Sequence, residues 1–71
     1  MRRKINGYIL LFTSADHGGR HIHVYRHEHE IGVYDLIDGP IRGLDAAMNA
    51  QLREALAEFI KELNERGFFH R

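Results

Sequence analysis

Five of the six histidines in this chain fall within the stretch DHGGRHIHVYRHEH, residues 16–29. Three of them, His17, His21 and His23, have the spacing H-x-x-x-H-x-H. On an extended strand His21 and His23 share one face, with Cα atoms about 6.6 Å apart. That pairing suits two chemistries. One is proton transfer: His21 and His23 as general acid and base, with Arg20 as the cation that stabilises an anionic transition state. The other is metal ligation: His17, His21 and His23 around Zn²⁺ or a similar divalent transition metal, with Asp16 as the supporting acid. A third use is nucleic-acid binding, for which Tyr25 and Tyr34 supply stacking faces and Arg26 supplies charge. The plain alternative is a polar outer face of a small sheet. For His27, His29 and His70 that plain reading is preferred, as a hairpin tip and a chain end.

These residues need a scaffold, and the chain has 71 residues from which to build it. That length supports one domain, residues 1–71, with one small core. There is no cysteine, so neither disulfides nor thiolate metal sites contribute. The longest apolar run, Tyr8–Phe12, is too short to span a bilayer, and no signal-peptide pattern follows Arg2, Arg3 and Lys4. A cytoplasmic protein without a membrane partner is expected. The formal net charge is zero, which argues against duplex binding by bulk electrostatics. The charge is unevenly spread, however. Residues 1–29 carry five Arg or Lys against two acids, and residues 30–71 carry five against eight. The histidines lie in the basic part.

Ile5–Thr13 reads as one strand, apolar on both faces. Ser14–Arg20 has loop composition. His21–Tyr25 and Glu30–Ile37 alternate, and a hairpin through His27–Glu28 makes their patterns agree. Pairing Val24 with Ile31 and Ile22 with Val33 gathers four apolar residues on one face. It places His23 beside Gly32, and His21 beside Tyr34, on the other. Asp38–Gly39 signals a tight turn, and Pro40–Arg42 reads as a short edge strand. From Met48 to Leu63 an apolar stripe recurs at i, i+3, i+4 spacing, which predicts a helix over about 46–66. Asp45 or Asn49 can cap it, and Gly67 ends it. The expected fold is α+β: a three- to four-stranded antiparallel sheet over about 5–43, in the order β-β-β-(β)-α, with one long C-terminal helix packed on one face. The opposite face then carries His21, His23, Tyr25 and Tyr34 with no element of this chain covering it. Such a face also makes a homodimer an expected partner.

The stretch D-H-G-G-R-H-I-H-V resembles the D-H-N-P-P-H-F-H-V signature of small bacterial proteins grouped as domain-of-unknown-function family 4160. Asp16, His17, His21, His23 and Val24 match it position by position. Val33–Leu36, Ile41–Leu44 and the helix match its later elements in order. Gly18, Gly19 and Arg20 replace Asn-Pro-Pro, which leaves this loop less constrained. The resemblance implies a member of a toxin–antitoxin-type gene pair with a small antitoxin-like protein as partner. A weaker similarity links G-G-R-H-I-H-V-Y-R-H to the G-S-H-H-I-F-R-H stretch of HicA-type toxins, which cleave messenger RNA. That analogy covers about two-thirds of the chain, lacks the leading helix of those toxins, and places His21 at their catalytic histidine. The expectation is a toxin-like component that binds RNA and cleaves it as a metal-independent endoribonuclease. The alternative is a non-catalytic metal-binding or protein-interaction module that uses His17, His21 and His23.

Overall fold

A computed structural model describes residues 1–12 and 20–68. The sheet is antiparallel and has five strands in simple meander order: β1 (Arg2–Ile5), β2 (Tyr8–Phe12), β3 (His21–Arg26), β4 (His29–Asp35) and β5 (Gly39–Ile41). Two helices follow, α1 (Leu44–Ala47) and α2 (Ala50–Glu65). The α+β class and the long C-terminal helix agree with expectation. The strand count is five, not three or four. The extra strand, β1, is built mainly from Arg2, Arg3 and Lys4, ahead of the segment Ile5–Thr13 read as one strand, and the turn that joins it to β2 falls inside that segment. Asn6 and Gly7 both take left-handed backbone, with φ of 54° and 84°, and turn β1 back onto β2. Asn-Gly is the residue pair such a two-residue turn favours.

One face of the sheet meets α2. Tyr8, Leu10 and Phe12 from β2, and Ile22 and Val24 from β3, pack against Leu52, Ala55, Leu56, Phe59 and Leu63. All of these side chains are buried, and the helix residues among them keep the i, i+3, i+4 spacing of the apolar stripe. Arg3 ties β1 to the same helix. Its Nε lies 3.1 and 3.2 Å from the Glu62 oxygens, and its Nη2 lies 2.8 Å from Oε2. The Arg3 guanidinium, followed by Arg66, holds the Glu62 carboxyl below its ordinary range.

α2 begins at Ala50, later than the expected 46, because Met48 is extended and Asn49 is the cap. The Asn49 side-chain oxygen accepts the Leu52 N–H at 2.8 Å, and its Nδ2 lies 3.3 Å from the Tyr8 hydroxyl. The cap thereby also ties the helix start to β2. Asn49→Ala is expected to lower stability by about 1 kcal/mol, measured by urea unfolding, with the helix retained in circular dichroism. At the other end Gly67 has φ of 80°, and the Phe68 N–H reaches the Leu63 carbonyl at 3.0 Å. This is the glycine-terminated helix end expected from the sequence.

The β3–β4 hairpin turns through His27–Glu28 as expected, with both residues left-handed. Arg26 then pairs with His29, and Tyr25 with Glu30. Beyond that point the register departs from expectation. A bulge at Ile31 shifts the pairing by one residue, so that Val24 faces Gly32, Ile22 faces Tyr34, His23 faces Val33 and His21 faces Asp35. The reason is tertiary. At Gly32 the β4 backbone runs directly against Leu44 of α1: a Cβ built there would lie 2.6 Å from the Leu44 Cβ and backbone nitrogen. The glycine lets Leu44 reach the core, and the bulge places the glycine on that face. As a consequence Tyr34 sits on the helix side, packed against the core, and Val33 sits on the opposite face between His23 and Ile41. No helix among the described residues is long and apolar enough to cross a membrane.

Candidate functional site

The face away from α2 can be read row by row from the pairing. One row runs Arg2, Leu11, His23, Val33, Ile41. The next runs Lys4, Ile9, Tyr25, Glu30. A third contains His21, Asp35 and Gly39. His21, His23 and Tyr25 therefore share one face, as their alternation requires.

Asp35 organises the third row. It ends β4 and is only 3% exposed. Its Oδ1 accepts the backbone N–H groups of Ile37 at 2.8 Å and Asp38 at 2.9 Å, closing the turn into β5. Short carboxylate side chains commonly close turns in this way. Arg20 grips the same carboxylate through Nε, at 3.1 and 3.2 Å, and through Nη2, at 3.1 Å. His21 Nε2 lies 3.0 Å from Asp35 Oδ2. The Asp38 backbone N–H, then the Arg20 guanidinium and the Ile37 N–H, hold the Asp35 carboxyl far below its ordinary range, against the opposing effect of burial. The Asp35 carboxylate in turn raises the Arg20 pKa. Asp35 is thus a fixed anion, and His21 Nε2 is the donor toward it. Neutral His21 then keeps its lone pair on Nδ1.

His23 is held the other way round. Its Nδ1 lies 2.7 Å from Glu30 Oε1. Donation from Nδ1 to the Glu30 carboxylate leaves the lone pair on Nε2. The two imidazoles are therefore each anchored by a carboxylate at one nitrogen, and among the described residues neither ring makes a second hydrogen bond. An anchored ring with a free nitrogen can take a proton from a substrate or deliver one.

The remaining candidates divide. Arg20 is beside His21, but Asp35 and Asp38 engage its Nε and Nη2, with the Asp38 contact at 3.3 Å. Only Nη1 is left without a partner among the described residues. Tyr25 is on the histidine face. Arg26 is not: it faces Tyr8 across β2 and its guanidinium stacks 4.7 Å from that ring's centre. Tyr34 is not either, and instead lines a groove beside α2 with Pro40, Met48 and Ile60. Asp16 and His17 lie outside the described residues. Carboxylate-anchored histidines also occur at metal centres. Among the described residues, however, no group of three His, Cys, Asp or Glu side chains is placed to hold a metal ion.

Four functional-face residues were not singled out from the sequence. Asp35 reaches His21 only through the bulged register, whereas Glu30 keeps the expected pairing with Tyr25 and reaches His23 diagonally across the hairpin. Arg2 and Lys4 reach the face only through β1, which the apolar reading of Ile5–Thr13 hid. The Asn6–Gly7 pair was the available signal for that strand.

The fold and face define a small α+β domain with a carboxylate-anchored histidine pair on the face of an antiparallel sheet turned away from α2. No protein-family model matches the chain, and searches of curated proteins and of solved structures found no match either.

Proposed function

We propose that the chain is a toxin-like, RNA-directed protein that cleaves its substrate by metal-independent acid–base chemistry at His21 and His23. The observation that supports this most is the pair of imidazoles on one strand face, each anchored by a carboxylate, at 3.0 Å for His21–Asp35 and 2.7 Å for His23–Glu30. One ring takes the proton of the ribose 2′-hydroxyl. The 2′-oxygen attacks the adjacent phosphorus, the bond from phosphorus to the 5′-oxygen breaks, and the other ring protonates that oxygen. The products are a 2′,3′-cyclic phosphate and a free 5′-hydroxyl. Arg20 Nη1 is the cation nearest in sequence for the phosphate's developing charge. The resemblance to HicA-type toxins supplies RNA as the substrate class, and by the same resemblance a small antitoxin-like protein is the partner that would silence the site.

The test is incubation of the purified protein with RNA in EDTA, with product ends analysed. Wild-type protein should cleave and leave cyclic phosphate ends. His21→Ala should be slower by at least about 10²-fold, the usual contribution of a positioned acid or base. Absence of wild-type cleavage, or equal rates for the variant, sinks the nuclease reading.

A further inference from the structure

The proposed chemistry leaves unexplained two cations that the fold sends to the histidine face. β1 alternates: Arg3 turns to α2 and binds Glu62, while Arg2 and Lys4 turn the other way. Both are exposed, and among the described residues neither makes an ion pair. The acids of the face are already engaged, Asp35 by Arg20 and His21, and Glu30 by His23. Arg2 and Lys4 are thus the cations of this face with no acid partner among the described residues, while Glu30 bonded to a neutral His23 keeps its negative charge beside Tyr25. Between β1 and the histidines lie Leu11 and Ile9, with Tyr25 beyond Ile9 in the Lys4 row. At about 4.8 Å per strand, Arg2 is roughly 10 Å from His23, Cα to Cα.

Resting on the RNA reading above, we infer that this face is a track for single-stranded RNA. The strand crosses the sheet, with phosphates held by Arg2 and Lys4, a base stacked on Tyr25, and the scissile bond at the histidines. A sheet face that carries an aromatic ring and exposed cations is a surface on which unpaired bases can lie flat; here Tyr25 lies between Ile9 and Glu30 in the row that Lys4 begins. Duplex RNA fits it poorly. Its bases are already stacked inside the helix, so Tyr25 gains nothing, and two cations with no protruding loop among the described residues give little grip on a groove.

The test measures binding to a 2′-O-methyl oligonucleotide, which lacks the attacking hydroxyl and cannot be cleaved. Its outcome is thus independent of whether the protein is a nuclease. Fluorescence anisotropy across a salt series should show the single strand bound at least about tenfold tighter than a duplex of the same sequence. The double variant Arg2→Ala/Lys4→Ala should lower the slope of log affinity against log salt by about 1.4, which corresponds to two phosphate contacts on a single strand. Each single variant should lower it by about half as much. Tyr25→Ala should weaken binding about tenfold, and Tyr25→Phe should restore it, because the ring and not the hydroxyl stacks. Circular dichroism of the β1 variants should match wild type, since both side chains are exposed. An unchanged salt slope in the double variant, equal affinity for duplex, or sedimentation as a dimer whose association blocks the oligonucleotide would each overturn the inference.

Discussion

Gly32→Ala is expected to destabilise the domain by about 3 kcal/mol or more. Two costs add. The new Cβ would sit 2.6 Å from the Leu44 Cβ and backbone nitrogen and 2.7 Å from its Cα. A contact that short with backbone cannot be relieved by rotating a side chain, so α1 or β4 must move. Overpacking of this kind costs about 1–3 kcal/mol. Gly32 also has φ of 155°, outside the region side-chain-bearing residues readily adopt, which adds about 1–3 kcal/mol. A domain of this size has little stability to lose, so a substantial unfolded population at room temperature is expected. Gly39→Ala separates the two costs. Gly39 has φ of 84° but nothing within 4 Å of the position a Cβ would take. Its substitution should cost only the backbone term, about 1–2 kcal/mol. Urea unfolding of both variants decides the matter. Equal midpoints would mean that the Leu44 contact relaxes freely and that backbone strain alone explains Gly32.

The same glycine explains what could and could not be read in advance. The α2 stripe from Leu52 to Leu63 was legible because a 3.6-residue period needs no knowledge of distant partners. The turn at His27–Glu28 was legible because the two flanking alternations leave few places to reverse the chain. The register beyond it was not. Pattern matching maximised apolar pairs and put Ile31 and Val33 with Val24 and Ile22. The folded chain instead spends one residue on a bulge so that Gly32, the residue with least to offer a pattern, can meet Leu44. This shift of one residue exchanges the neighbours of every later side chain of β4. It sends Tyr34 to the helix side and brings Asp35 to His21. The histidine pair itself was visible, because alternation along one strand suffices to place it. The carboxylates that orient the pair were not visible, because they belong to the partner strand. Arg26 shows the same limit: its chemistry suited a substrate face, but the pairing across β2 sets it over Tyr8.

The second large effect is expected at Asp35, where stability and chemistry meet. Asp35→Asn keeps the shape and one carbonyl oxygen, which can still accept the Ile37 and Asp38 N–H groups. It replaces the other oxygen by an NH₂ that faces donors on Arg20 and His21. Arg20 is then left beside a neutral group, with Asp38 as its remaining acid. The buried position loses its charge-assisted hydrogen bonds to Arg20 and His21, and the urea midpoint near pH 7 should fall by about 1 M. The pH dependence identifies the cause. The folded state holds the Asp35 carboxyl below its ordinary range, so the unfolded chain takes up this proton first as pH falls. The stabilisation is therefore complete above the ordinary carboxylate value of about 3.9 and is lost progressively below it, toward the depressed folded value. Asparagine has no such proton to bind. The gap in midpoint between wild type and variant should be full above about pH 4 and should narrow as pH drops below it. Glu62, also depressed by its partner Arg3, titrates in both proteins and cancels from the difference. His21, Arg20 and Asp38 face the substituted group and remain in both, so their contributions change only through Asp35. A gap that stays constant from pH 7 to pH 3 would show that packing and not charge makes Asp35 important. On the nuclease reading proposed above, cleavage offers a separate readout. Without the carboxylate, His21 Nε2 loses the acceptor that fixes its tautomer, so under that reading the variant should cleave RNA far more slowly than wild type even at temperatures where both are folded.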